Sequence, residues 1–249
     1  MEKIKHIIVV FCILIGIGNV HGQDLPIYSQ KLTNNLIYNP SVAGLGYGSI
    51  ALSYRKSYNS ISNVKSSNLI SFHTPFGYDK FGVGGNLFQE QVGIYDRLHG
   101  SAAFAYRLSL NDNNIISLGV SGEYNNLSIS TARLDVVDET DELLTGNESS
   151  TNNVDFSFGL NYKSKFFEVG ASASRLSAAL GISPESNQLN PFYQSYLKVF
   201  IPLESIKSKL EPIGNFRLLS SGTMQYEGGL YYTFNNMFRD TIRGIYVHF

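Results

Sequence analysis

The strongest constraint on this chain is a side-chain period of two that returns in segment after segment. In residues 154–162, Val154, Phe156, Phe158, Leu160 and Tyr162 share one face, while Asp155, Ser157, Gly159 and Asn161 share the other. Successive side chains of a strand point to opposite sides, so such a segment has one oily face and one wet face. The same alternation sets Ile50, Leu52 and Tyr54 against Ser49, Ala51, Ser53 and Arg55. It sets Phe81, Val83, Gly85 and Leu87 against Gly82, Gly84 and Asn86, and Ala102, Phe104, Tyr106 and Leu108 against Ser101, Ala103, Ala105 and Arg107. About eleven strands are readable: 49–57, 67–76, 81–91, 100–110, 114–128, 154–164, 166–177, 191–202, 210–220, 224–235 and 241–249. The fold class is all-β. In a soluble sandwich the oily faces would meet each other; in an outer-membrane barrel they would meet lipid while the wet faces line a lumen.

Composition leans toward the membrane. Charged residues make up 16% of the chain, against about 25% in ordinary soluble domains. Tyr and Phe number 16 each and Gly 23, which suits a barrel with aromatic girdles, although a secreted sandwich can share this profile. Many wet-face positions are Gly, Ala or Ser, which suits a crowded interior better than a wide, charge-lined pore. A net charge of −1 argues against a nucleic-acid partner.

The N-terminus reads as an export signal over residues 1–22, leaving one barrel domain over 23–249. Lys3 and Lys5 precede an apolar run from Ile7 to Ile17 that is too short to span a bilayer. The sole cysteine, Cys12, lies inside that run, and Phe11 before it argues against a lipid attachment. The expected mature chain therefore has no disulfide or thiolate metal site. Residues 24–45, with Pro26 and Pro40, break the alternation and read as a lead-in or a plug across the barrel mouth.

Joins at 77–80, 111–113, 164–165 and 236–240 read as short, and those at 58–66, 92–99, 129–153 and 178–190 as longer. Such alternation is expected when one rim faces the periplasm and the other the exterior. Two joins break it: 203–209 reads long where a short turn is due, and 221–223 short where a long loop is due. An odd strand count also conflicts with the even number of bacterial single-chain barrels. The last segment, with Ile245, Val247 and Phe249 on one face, resembles a closing strand.

Short motifs point to a family. Tyr28, Ser29 and Gln30 are followed by Asn39, Pro40, Ser41, Val42, Ala43 and Gly44. This entry resembles that of PorP/SprF-type outer-membrane proteins of the type IX secretion system. The likeness continues through Tyr54-Arg55, Thr74-Pro75, Gly82-Val83-Gly84, Ala105-Tyr106-Arg107, Ile116–Gly119 and Asp155–Leu160. Two departures stand out: Tyr58 lies where family members usually carry a tryptophan, and members are usually longer. The resemblance implies an antiparallel transmembrane β-barrel of about 12–14 strands when complete, of which this chain would be a shortened member. It also implies a place in the cell outer membrane and a role in holding, exporting or displaying secreted adhesins and other cargo, some of it linked to gliding. Outer-membrane lipid, a secreted surface protein or adhesin, and other secretion-system components are the implied partners. A passive pore or small-solute transporter is the alternative.

Little in the chain points to chemistry. Asp135, Asp138, Glu139, Asp141, Glu142 and Glu148 form an acidic stretch that could bind calcium, but no EF-hand spacing is present and solvated acidic loops are common. Asn147-Glu148-Ser149 matches a glycosylation acceptor only by its three-residue pattern. His73, His99 and His248 are scattered without ligand or nucleophile spacing, so no enzyme, metal or cofactor is expected. His73 falls on the wet face beside Ser71. Charges within strands are expensive against lipid, so Arg55, Arg107, Arg217, Glu123, Asp155 and Glu168 are expected to face the lumen, bracing it or contacting cargo. Loops 130–153 and 178–190 are the expected partner contacts.

Overall fold

The computed structural model describes residues 34–56, 66–130, 149–180, 190–203, 208–220, 222–234 and 243–248. Their strands are β1 (Ser49–Lys56), β2 (Ser66–Phe76), β3 (Phe81–Val92), β4 (Tyr95–Asn111), β5 (Asn114–Ile129), β6 (Ser149–Lys163), β7 (Phe167–Ser174), β8 (Phe192–Val199), β9 (Ile201–Leu203), β10 (Ser208–Leu219), β11 (Met224–Phe234) and β12 (Arg243–His248). Two 3-10 turns, η1 (Asn35–Ile37) and η2 (Pro40–Val42), precede β1, and a single helical turn, α1 (Leu176–Ala179), follows β7. All strands join one antiparallel sheet in chain order. Ile213 pairs with Lys198 and Leu210 with Ile201, so β9 continues the register of β8 across Phe200 and the two make one stave. The sheet therefore has eleven staves. Among the described residues, no pairing joins β1 to β12.

The sheet curls strongly. Leu69 of β2, Phe88 of β3 and Phe192 of β8 form one buried cluster around Tyr38. Strands β2 and β8 are six spacings apart, which in a flat sheet would separate them by ~29 Å. One tyrosine bridges them, so the wall must bend around it in the manner of a barrel.

The two faces differ as the alternation requires. Leu118, Val120, Phe158, Leu160, Tyr193 and Leu197 point outward and are exposed, with Ile50, Leu52 and Tyr54 more so on edge strand β1. A continuous apolar exterior of this extent is foreign to soluble monomers and suits hydrocarbon. Of the charged residues in β1–β11, only Lys56 and Asp96 have outward parity, and both lie at strand tips. Phe76, Phe81, Phe104 and Tyr106 cluster near one rim, with ring centroids 5.4–6.3 Å apart.

The structure corrects several boundaries. The join expected over 92–99 is a tight turn: β3 runs to Val92, Gly93 adopts φ +60°, and β4 starts at Tyr95. Polar Asp96, Arg97 and His99 masked that extension, because a strand tip beyond the hydrocarbon has no need of an apolar face. Likewise, β6 begins at Ser149, not near 154. The strand expected over 166–177 stops at Ser174, where Arg175 takes φ +60° and throws the chain off the sheet. Only four residues separate β9 from β10, so the join that read as long is short. The three longest joins, 57–65, 130–148 and 175–191, all lie at one end, here called the far end, which also has short joins at 93–94 and 220–223. The other, near end has the short joins 77–80, 112–113, 164–166 and 204–207.

Candidate functional site

The inward face is occupied rather than open. Residues 34–45 lie against it, and the local sequence explains their shape. Asn39 precedes η2 and its Oδ1 accepts from Ser41 N–H at 3.0 Å and Ser41 Oγ–H at 2.6 Å. Pro40 opens the turn, where its missing N–H is no loss. Gly44 follows at φ +65°, where a Cβ would sit 2.6 Å from the Thr74 carbonyl oxygen, so glycine is required.

The wall is built to receive this segment. A row of inward positions crosses the sheet by register: Pro75, Gly82, Ala105, Gly119, Gly159 and Ser172. A Cβ at Gly119 would meet Ser41 N at 2.2 Å, one at Gly159 Asn39 Oδ1 at 2.0 Å, and one at Gly82 the Ala43 carbonyl at 1.9 Å. Outward Gly122, Gly214 and Gly228 have nothing within 4 Å of a Cβ, whereas outward Gly85 lies beside the Phe72 ring of the neighbouring strand, 3.1 Å from its Cβ position. At Gly82 and Gly119 the segment's backbone touches the wall, and at Gly159 the Asn39 side chain does.

Polar clamps fix the contact. Arg107 donates from Nη1 to the Ala43 carbonyl at 2.6 Å, from Nε to the Asp79 carbonyl at 2.7 Å, and from Nη2 to the Phe81 carbonyl. One guanidinium thus ties the segment to the β2–β3 turn, a fork geometry that lysine lacks. Gly44 N–H donates to His73 Nδ1 at 3.2 Å, which assigns the ring's proton to Nε2, 2.8 Å from Ser49 Oγ. Asn39 Nδ2 donates to the Leu160 carbonyl at 3.2 Å. Arg217 stacks its guanidinium 4.5 Å over the Tyr38 ring while donating to Gln194 and Gln225. Burial pushes the Tyr38 phenol up, against the pull of the Arg217 cation.

A second element enters from the far end. After Arg175, α1 turns onto the inward face, where Ser177 N–H donates to Asp155 Oδ1 at 2.8 Å. Both Ser177 and Asp155 are 2% exposed. Arg175, itself buried, lies 5.5 Å over Phe192.

Of the residues singled out in the sequence, Arg107, Asp155 and Glu168 are buried on the inward face and Glu123 is half-buried there. Glu123 accepts from Ser157, and Glu168 Oε1 lies 2.8 Å from the Tyr196 hydroxyl. Arg55 has inward parity but is exposed on β1. Asn39, Pro40, Ala43 and Gly44 come together in the inner segment; Tyr28, Ser29 and Gln30 lie outside the described residues. So do most of the acidic loop and residues 181–189. Tyr38, Phe192, Tyr196 and Arg175 were not singled out, and each is buried and central. Phe192 and Tyr196 could have been found as large residues of inward parity on β8. Among the described residues, no group of three or more His, Cys, Asp or Glu could hold a metal. No helix there is long and apolar enough to cross a membrane, which says nothing about crossing by strands.

The family model for the type IX secretion system membrane protein PorP/SprF matches residues 20–244. The chain belongs to the PorP/SprF family. The match spans the inner segment and all strands up to the start of β12. This PorP/SprF member is thereby a membrane protein of type IX secretion. No curated protein sequence matches it. Among solved structures it is similar to the crystal structure of BamA from Haemophilus ducreyi lacking POTRA domains 1–3, at 13% identity and a TM-score of 0.38. That likeness covers 78% of this chain and 48% of the other, so the PorP/SprF chain spans about half the length of that structure.

Proposed function

We propose that this PorP/SprF member is a non-enzymatic outer-membrane barrel that anchors secreted cell-surface proteins or helps export and display them. Its near end faces the periplasm, and its far end, with the long loops 57–65, 131–148 and 181–189, faces outward. Residues 34–45 act as a plug. The apolar exterior fits outer-membrane lipid, and the far-end loops are the contact for a secreted surface protein or adhesin. Other secretion-system components are the remaining partners.

The observation that favours an anchor over a passive pore is the double occupancy of the inward face, by the inner segment from one end and α1 from the other. A solute path needs open space where Asn39, Ser41, Ala43 and Ser177 are packed. Two measurements test the reading. Purified protein in a planar bilayer is expected to give no steady open-channel current; sustained porin-like conductance would favour the transporter. Replacing 131–148 and 181–189 with short Gly/Ser links should abolish co-purification of the secreted partner while leaving membrane insertion intact. Unchanged retention refutes the loop assignment.

A further inference from the structure

The two elements that fill the barrel touch a common stack of side chains. Arg175, at the root of α1, lies 5.5 Å over one ring, that of Phe192. Arg217 lies 5.8 Å over the same ring and 4.5 Å over the Tyr38 ring of the inner segment. Guanidiniums within about 6 Å of a ring centroid are attracted by its quadrupole, and desolvation strengthens the attraction. All four residues are buried. Gln194 and Gln225 hold Arg217 from its two neighbouring strands, and Gln194 lies two residues from Phe192 on β8, so a shift at Phe192 reaches the guanidinium.

We infer that α1 and the inner segment are coupled through the stack Arg175–Phe192–Arg217–Tyr38, so that drawing one out of the lumen loosens the other. Withdrawal of α1 takes Arg175 off Phe192 and frees that ring to turn. Arg217 then loses one of its two stacking partners, and with it the alignment that packs Tyr38. Linkage makes the effect reciprocal: whatever loosens Tyr38 also loosens α1. A partner that binds the far-end loops would in this way change the hold on the periplasmic plug. The inference takes the occupied lumen from the reading above, but its test needs neither cargo nor conductance.

Amide hydrogen exchange on the full-length mature protein in detergent reads both elements at once. Ser177 and Leu180 report α1, and Val42, Ala43 and Leu45 report the inner segment, since each N–H is hydrogen-bonded there. Asp155→Ala releases α1 locally, and Asn39→Ala releases the inner segment locally. Each is expected to speed exchange at the other element by about fivefold or more. In a Phe192→Leu or Arg217→Gln background the local effect should persist while the remote effect disappears. The inference is overturned by acceleration confined to the mutated element, by a remote effect that survives both background substitutions, or by unchanged exchange at both elements. Loss of the remote effect would leave the conductance and retention results untouched, so the two proposals fail separately.

Discussion

Replacing Gly119 with alanine tests whether the wall glycines exist to seat residues 34–45. The added Cβ would lie 2.2 Å from Ser41 N and 2.4 Å from Pro40 C and Ser41 Cα. Both sides of this contact are backbone, so no side chain can swing away. Ordinary contact begins near 3.4 Å, so the segment must retreat by 3.4 − 2.2 = 1.2 Å. Such a retreat carries Asn39 Nδ2, now 3.2 Å from the Leu160 carbonyl, beyond hydrogen-bond length. Overpacking of this kind costs ~1–3 kcal/mol, which raises the population of the detached segment ~5- to ~150-fold. A cysteine at Val42, with Cys12 replaced by serine, gives the readout, because thiol labelling of a buried site follows its opening equilibrium. Gly122→Ala is the control, since it lies on the same strand with nothing within 4 Å of its Cβ. Its chain-entropy effect should be neutral or mildly stabilising. If Gly119→Ala labels no faster than Gly122→Ala, the seating argument is wrong.

Two further outcomes follow from the same geometry. Arg107→Lys keeps the charge but cannot reach three carbonyls in one plane, and should lose ~1.5–3 kcal/mol, seen as a lower unfolding midpoint in heat-modified gel migration. Val120→Arg places a cation on the outward face near the middle of β5 and should weaken folding into lipid vesicles by ~2–4 kcal/mol; insertion at the parental level would argue that this face does not meet hydrocarbon.

The strand order was legible because one physical rule governs nearly all of it. Each wall residue has one side in apolar surroundings and the other against polar or small groups, so a period of two survives in the sequence wherever the wall is crossed. Where that pressure lapses, the reading failed. Asp96, Arg97 and His99 lie at a strand tip where neither face needs to be apolar, and their extended pairing with β3 left no periodic trace. At the opposite extreme, nothing in the residue types marked Arg175 as the point where the chain turns off the sheet at φ +60°.

The candidate site was legible in composition but not in arrangement. Glycine, alanine and serine on the wet faces foretold a crowded interior, and the break in alternation before residue 45 marked a segment with a different job. Nothing in the local sequence could say that these two features answer each other, because the contact joins residues as distant as Asn39 and Leu160. The glycines resolve it. A strand interior loses stability by carrying glycine, since it forfeits side-chain packing and adds chain entropy. On the inward face that loss is offset where the inner segment approaches to within 3 Å of the missing Cβ: with its backbone at Gly82 and Gly119, with the Leu36 side chain at Gly84, and with the Asn39 side chain at Gly159 and Gly170. At Gly170 the approaching group is partly the Tyr196 ring, 2.3 Å from the Cβ position, whose hydroxyl reaches Asn161 and Glu168. Two carboxylates and two arginines on the same face are then explained without any catalytic role. Arg107 and Arg217 grip the inserted segment, Asp155 holds α1, and Glu168 meets the tyrosine that covers Gly170.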